Sequence, residues 1–289
     1  MDKLVKGYSP SAAIRFSFVD ATIAAKTLEE RHLCGPTAAT VMSETIAGAA
    51  LLTSDTTYED ECVSLRLVVD GPLKGVLIEA SASGGLRGYP TIKLLNELDS
   101  DGDIDTTPAL GEHGKAQIIR STSKSVLFRA SIPVDPPDVR VALARYYNNS
   151  LQTPTAVELF ADTDEGYLSA SKGITAERMP DGDSDVFVRV VELFDKGNVK
   201  EHLQTAQSLS DFAELFDLPD LEEQESKDLR FECRCSLERV TASLQVLEAH
   251  ELESMIRNNE SQEVYCHMCG KGYEVKPDQL SDVLKAKQS

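Results

Sequence analysis

Phe231-Glu232-Cys233-Arg234-Cys235-Ser236-Leu237-Glu238-Arg239 opens a stretch that closes with Tyr265-Cys266-His267-Met268-Cys269-Gly270-Lys271-Gly272-Tyr273. Four of the chain's six cysteines fall here, as a C-x-C pair and a C-x-x-C pair with thirty residues between them. Each pair is close enough in sequence to reach one metal from a single turn. Four thiolates around tetrahedral Zn²⁺ fill the coordination sphere, which marks a structural rather than a catalytic zinc. The spacing therefore predicts one Zn²⁺ on Cys233, Cys235, Cys266 and Cys269, and not four unligated core cysteines. Gly270 follows the last ligand, where glycine relieves a tight turn. His267 lies between two ligands but is not needed by a full sphere, so it is expected to point outward.

Together with the Ser-x-Glu-Arg after it and the Gly-x-x-Tyr after the second pair, C-x-C resembles the redox-regulated heat-shock chaperone family, the 33 kDa chaperonin. The family pattern C-x-C-S-x-E-R, a helical interval, then C-x-x-C-G-x-x-Y matches Cys233–Arg239 and Cys266–Tyr273. Weaker likeness extends to Asp70-Gly71-Pro72 and Leu86-Arg87-Gly88-Tyr89 near the amino terminus. The resemblance implies an ATP-independent holdase, not an enzyme, that binds unfolding client proteins under oxidative stress and dimerises when active. Three disulfide pairings of the four cysteines are possible. The resemblance implies neighbour pairing, Cys233 with Cys235 and Cys266 with Cys269.

Outward from that stretch, the 289 residues suffice for one sizeable core and a smaller module. No apolar run is long enough to span a bilayer, and the start lacks the apolar core of a signal peptide. A cytoplasmic protein is the expectation, in which six cysteines point to metal or redox chemistry rather than structural disulfides. A net charge of −19 argues against a phosphate-backbone binder.

Alternating or aromatic runs predict strands at 14–19, 63–70, 75–80, 84–89, 116–121, 126–130 and 156–161. Helices are expected over 21–32, over 36–52 with Pro36 at its first turn, and over 139–147. These elements predict an α+β core of sheets and helices over 1–175. The glycines at 84–88 lack the lysine of a phosphate loop and sit among hairpins. Asp99–Asp105 lacks the sixth-position glycine and twelfth-position glutamate of an EF-hand, so it reads, like Asp181–Asp185, as a solvated acidic turn. Cys34 and Cys62 read as small buried hydrophobes, and His32, His113, His202 and His250 have no spaced partners.

Residues 174–230 change character, with fifteen Asp or Glu against six Lys or Arg. Leu203, Ala206, Leu209, Phe212, Leu215 and Phe216 nonetheless fall at helical spacing. Such a segment folds by laying its apolar face on something else, because its own charge opposes compaction. An ordinary surface helix is the plain reading; the resemblance adds that 176–230 is a metastable acidic helical linker. Leu203, Leu209, Phe212 and Phe216 are the expected client-binding residues, released when the linker opens. Asp185-Val186-Phe187-Val188-Arg189 departs from the glycine-rich strand that the resemblance places there.

Residues 231–289 then form a zinc-binding redox-switch domain. An apolar core of that size supplies only about 3–5 kcal/mol, against about 10–16 kcal/mol from structural zinc. Disulfides replacing the metal would close very short loops and restore little of it. Two rivals are a zinc-ribbon adaptor and a thiol–disulfide oxidoreductase using Cys266 and Cys269. The first lacks a basic excess, with eight Lys or Arg against ten Asp or Glu in 230–289. The second wants C-x-x-C at a helix N-terminus, whereas Glu263-Val264-Tyr265 reads as extended.

Overall fold

The computed structural model describes residues 1–99, 104–259 and 261–288. The chain divides into two compact units, Met1–Glu232 and Cys233–Ser289.

In the first unit β1 (Lys3–Ser9) and β2 (Ile14–Asp20) form a hairpin followed by α1 (Thr22–His32) and α2 (Pro36–Leu51). A meander of β3 (Cys62–Val69), β4 (Gly75–Ser81) and β5 (Gly85–Pro90) comes next, then the short α3 (Thr107–Leu110), β6 (Gly114–Ser121) and β7 (Val126–Pro133). α4 (Val139–Arg145) leads into β8 (Thr155–Asp164) and β9 (Tyr167–Arg178). After these stand α5 (Ser184–Asp195), α6 (Asn198–Thr205), β10 (Glu222–Asp228) and β11 (Arg230–Phe231). The strands form a five-stranded sheet, β10-β1-β2-β9-β8, and a six-stranded sheet, β11-β5-β4-β3-β6-β7.

α2 explains why the two sheets face each other. Fourteen of its sixteen residues are buried, and its alanines and glycine let it lie against β8 and β9 on one side and β4 and β5 on the other. A Cβ at Gly48 would meet Leu143 Cδ1 at 2.8 Å, so a small residue is required there. The first core fills this space with Leu65, Leu67, Ile78 and Ile118 from one sheet and Leu4, Val19 and Leu159 from the other.

The opposite face of the five-stranded sheet is apolar too. Val5, Ile14, Phe16, Phe18, Ile174 and Ala176 build a second core with Val190, Phe194, Val199, Leu203, Leu209, Phe212 and Phe216. The acidic segment is therefore the cover of this sheet face. Its placement corrects two sequence expectations. β9 runs to Arg178, so the expected cut at 175 falls inside a strand whose Ile174–Arg178 pair with Phe18–Ile14. The expected helical linker 176–230 is helical only in its first half, and its end, β10, pairs with β1. The helix breaks at Ala206 because Asp211 Oδ2 accepts from the N–H of Gln207 and Ser208, and a capping box restarts the chain as a 3₁₀ turn, Leu209–Phe212. At 185–189 the chain is helix α5, capped by Asp183, whose carboxylate accepts from the N–H of Asp185 and Val186.

Asp99 has a structural use: its carboxylate accepts from Leu95 N–H at 2.8 Å and from Thr37 N–H, in the first turn of α2, at 3.1 Å. Residues 100–103 of the predicted acidic turn lie outside the described residues. Among the described residues, no helix is long and apolar enough to cross a membrane.

The second unit contains α7 (Leu237–Ser243), α8 (Ala249–Arg257), the hairpin β12 (Gln262–Tyr265) and β13 (Gly272–Val275), and α9 (Pro277–Gln288). Its fully buried apolar cluster is Leu252, Val275, Leu280 and Val283, with a ring of half-buried neighbours. That is a thin core for a separate unit.

Candidate metal and redox site

Cys233 and Cys235 lie in extended chain just before α7, and the motif letters around them are the scaffold. Ser236 is the N-cap of α7, its hydroxyl accepting from Arg239 N–H at 3.2 Å. Arg239 Nη1 donates back to the Arg234 carbonyl at 2.8 Å, fixing the residue between the two thiols. Cys266 and Cys269 close the tip of the β12–β13 hairpin. Cys266 N–H donates to Lys271 O at 2.9 Å, and Gly270 N–H donates to Cys266 O at 2.8 Å. Gly270 has φ +71°, which favours glycine.

The two segments bring all four Sγ atoms within 4.8 Å of one another. Cys233 Sγ lies 3.8 Å from Cys266 Sγ, and Cys235 Sγ lies 3.5 Å from Cys269 Sγ. A tetrahedral zinc with Zn–S of about 2.3 Å sets its sulfurs about 3.8 Å apart. The donor set fits a metal ion of the Cys₄ zinc class, and His267 is exposed. Cys269 is buried and the other three thiols are half-buried. Cys266 follows a strand into a hairpin tip rather than opening a helix, an arrangement that does not supply the helix-terminus activation of a catalytic dithiol.

Tyr273, the last letter of the second motif, donates its hydroxyl to Cys235 Sγ at 3.1 Å. Its role was visible in the sequence only as a motif position. Partial burial works against the Cys235 thiolate, but hydrogen bonds from Tyr273 and from neighbouring thiols outweigh it and bring the thiol down to about 7. Burial pushes Cys266 and, more strongly, Cys269 up. The Cys235 thiolate is thus favoured, while Cys266 and Cys269 resist ionisation. A divalent cation would supply the charge that lets all four ionise. Cys34 and Cys62 lie outside the cluster. Burial pushes the Cys34 thiol up to about 12, which makes it a poor nucleophile.

The expected client-binding residues are brought together, but under cover. Leu203, Leu209 and Phe212 are fully buried and Phe216 nearly so. Phe216 stacks on Phe16 with centroids 5.1 Å apart, and Phe212 tilts against Phe18 at 6.0 Å. Phe16 and Phe18 complete this face, and only the strand as a whole was foreseen. His202, given no role from sequence, packs its ring against Phe212 at 4.8 Å. Lys172 on β9 reaches into the same core, its Nζ donating to Ala206 O at 2.7 Å and Gln204 O at 3.3 Å. Asp220 ties the segment to the first hairpin, accepting from Ser9 Oγ and Ser11 N–H, each at 2.7 Å.

The chain is thus an α+β unit followed by a second unit that carries four converging thiols. The family model for Hsp33 protein matches residues 2–276, and the chain belongs to that family. It is 27% identical over 291 residues to the 33 kDa chaperonin of a Cyanothece species, covering 98% of this chain and 96% of that protein. It is 25% identical to the 33 kDa chaperonin of Clostridium novyi, with 98% of both chains covered, and 28% identical to that of Prochlorococcus marinus, with 99% of both covered. The fold matches the crystal structure of the 33 kDa chaperonin from Thermotoga maritima with a TM-score of 0.84, 24% identity and 99% of each chain covered.

Proposed function

We propose that this chain is an ATP-independent holdase, held inactive with zinc on Cys233, Cys235, Cys266 and Cys269 and switched on when those thiols are oxidised. The observation that carries the reading is the convergence of four Sγ atoms within 4.8 Å in a unit whose buried apolar cluster is small, Leu252, Val275, Leu280 and Val283. Such a unit depends on its metal for stability. Two equivalents of peroxide oxidise four thiols to two disulfides, and the peroxide oxygens leave as four waters. The disulfides lack the anionic donors a metal needs, so oxidation and metal retention exclude each other. The pairing we propose, following the resemblance, is Cys233 with Cys235 and Cys266 with Cys269.

The second half of the reading concerns the cover. The chain runs from the acidic segment through β10 and β11 directly into Cys233. Unfolding of the thiol unit would leave that end held only by the pairing of β10 with β1 and of β11 with β5. The segment's charge then favours its release, baring Phe16 and Phe18 together with Leu203, Leu209, Phe212 and Phe216. An apolar patch of this kind binds unfolded chains with little selectivity, and the acidic flanks keep the opened protein, as monomer or homodimer, soluble.

The test is aggregation of a chemically unfolded client, without ATP, before and after peroxide with mild heating. Zinc content and free thiols are measured on the same samples. The reading requires weak suppression by the reduced, zinc-loaded chain and strong suppression after oxidation with zinc released. Equal suppression by both forms would remove the switch, and no suppression by either would remove the holdase.

A further inference from the structure

A polar cavity of about 210 Å³ lies where the core of the first unit meets its cover. Glu44 lines it from α2, Asp138 and Arg140 from the N-terminal end of α4, Glu158 from β8 and Lys200 from α6. Such a space holds about seven waters at their liquid volume of about 30 Å³ each. It falls below the range of about 300–1,000 Å³ that takes drug-sized ligands, so its occupant is small.

Charged side chains of both signs around one space are expected to pair directly, and here they stand apart. Glu44 and Lys200 form no side-chain hydrogen bond and no ion pair among the described residues. Arg140 Nε stands 3.9 Å from Glu158 Oε1, beyond hydrogen-bond distance. The side chain of Glu158 is only 6% exposed, and the bond it accepts comes from the adjacent Leu159 N–H, at 3.2 Å on that same oxygen. Its other oxygen has no partner among the described residues. Asp138 differs: it caps α4, accepting from Val141 N–H at 2.9 Å. Carboxylates and cations withdrawn from water without direct partners are costly unless something between them takes up their hydrogen bonds.

The chemistry that fits this lining carries both signs. A lone cation would satisfy Glu44 and Glu158 but meet Arg140 and Lys200, and a lone anion would meet three carboxylates. Among the described residues these carboxylates do not converge as metal ligands; that geometry occurs at the four thiols. A primary ammonium offers three donors to acceptor-only carboxylates, and a carboxylate accepts in turn from a guanidinium fork and a lysine.

We propose that this cavity binds a small zwitterion, an amino acid with its ammonium on Glu44 and Glu158 and its carboxylate on Arg140 and Lys200. Lys200 belongs to the cover and the other three to the core, so the ligand ties one to the other. The site rests on the cavity and its lining, not on the holdase reading. Under that reading, an occupied cavity delays release of the cover.

The test is calorimetric titration of the reduced, full-length chain with glycine, β-alanine and γ-aminobutyrate, against propylamine and propionate as single-charge controls. At least one zwitterion should bind one-to-one, about tenfold or more tighter than either control. Lys200→Met and Glu158→Gln should each weaken that binding about tenfold. Lys200 is exposed, and an unchanged thermal transition verifies that its variant is folded. Binding should strengthen as pH rises through about 7, the value to which burial and then Asp138 push Glu44, because the ammonium favours the carboxylate over the acid. Hydrogen exchange across 198–205 should slow in the bound chain. Binding of none of the three zwitterions would overturn the proposal and leave a cavity that takes water only. So would equal binding of propylamine, or a Lys200→Met chain that binds like the parent. Zwitterion binding by a chain that suppresses no aggregation in either redox state would sink the proposed function and leave this site standing.

Discussion

The thiol unit and the cover of the five-stranded sheet are both small, yet they are stabilised by different physics. The unit from Cys233 onward has a buried apolar cluster of four side chains and a cluster of four sulfurs. The cover spanning α5 to Phe216 has no metal-ligand cluster among the described residues, and it buries Phe194, Leu203, Leu209, Phe212 and Phe216 on a sheet that contributes Phe16 and Phe18. A unit held by ligand bonds is lost in one chemical event. A segment held by apolar area and countered by its own charge can be released and can re-form. Under the proposed function, the sensor is the first of these regions and the binding surface the second.

Removing one ligand should produce the largest effect. Cys269→Ser replaces the buried thiolate with a neutral hydroxyl, and zinc affinity should fall by more than about a hundredfold. Competition with a chromophoric chelator reads this directly, and full zinc occupancy in the variant would break the assignment. Next comes the cover. Phe212→Ala should weaken docking by about 3–5 kcal/mol, with zinc content unchanged, so the reduced protein should already suppress aggregation. If it stays as inactive as the parent, the covered face is not the client surface.

A smaller effect concerns pH. Glu44 on α2 lines a polar cavity of about 210 Å³ with Asp138, Arg140, Glu158 and Lys200, the last from α6 of the cover. Burial, then the negative charge of Asp138, pushes Glu44 up to about 7. A carboxyl raised on folding stabilises most below its ordinary value, and that contribution is lost as pH rises through the folded value. Thermal stability of the first unit should therefore decline between about pH 5 and 8, and Glu44→Gln should flatten the slope. An unchanged slope would remove Glu44 as its source. The smallest expected change is none: Cys34→Ala with Cys62→Ala should activate like the parent, since neither thiol belongs to the cluster.

Much of this was legible in the sequence, and the omissions have physical causes. β3, β4 and β6 bury one face each, so alternation marked them. β9 is buried on both faces from Ala170 to Ala176, by α2 on one side and the cover on the other, and Ser171, Lys172 and Gly173 erase any period of two. β10 (Glu222–Asp228) is an almost wholly exposed edge strand of charged residues, defined by backbone pairing to β1 that no side-chain pattern reports. The thiol site was legible because ligand chemistry dictates spacing. Tyr273 donating to Cys235 was not, because a hydrogen bond between residues 38 apart needs the fold to bring them together.

The central claim is that oxidation at four sulfurs uncovers a sheet face in the other unit. Hydrogen exchange on the reduced and peroxide-treated chain tests it most directly, with zinc and free thiols counted on the same samples. The account predicts that protection disappears from roughly 200 to 289 on oxidation, while β3 and β4 remain protected. Zinc release with protection kept across the acidic segment would contradict it, and the thiol unit would then be a static clip.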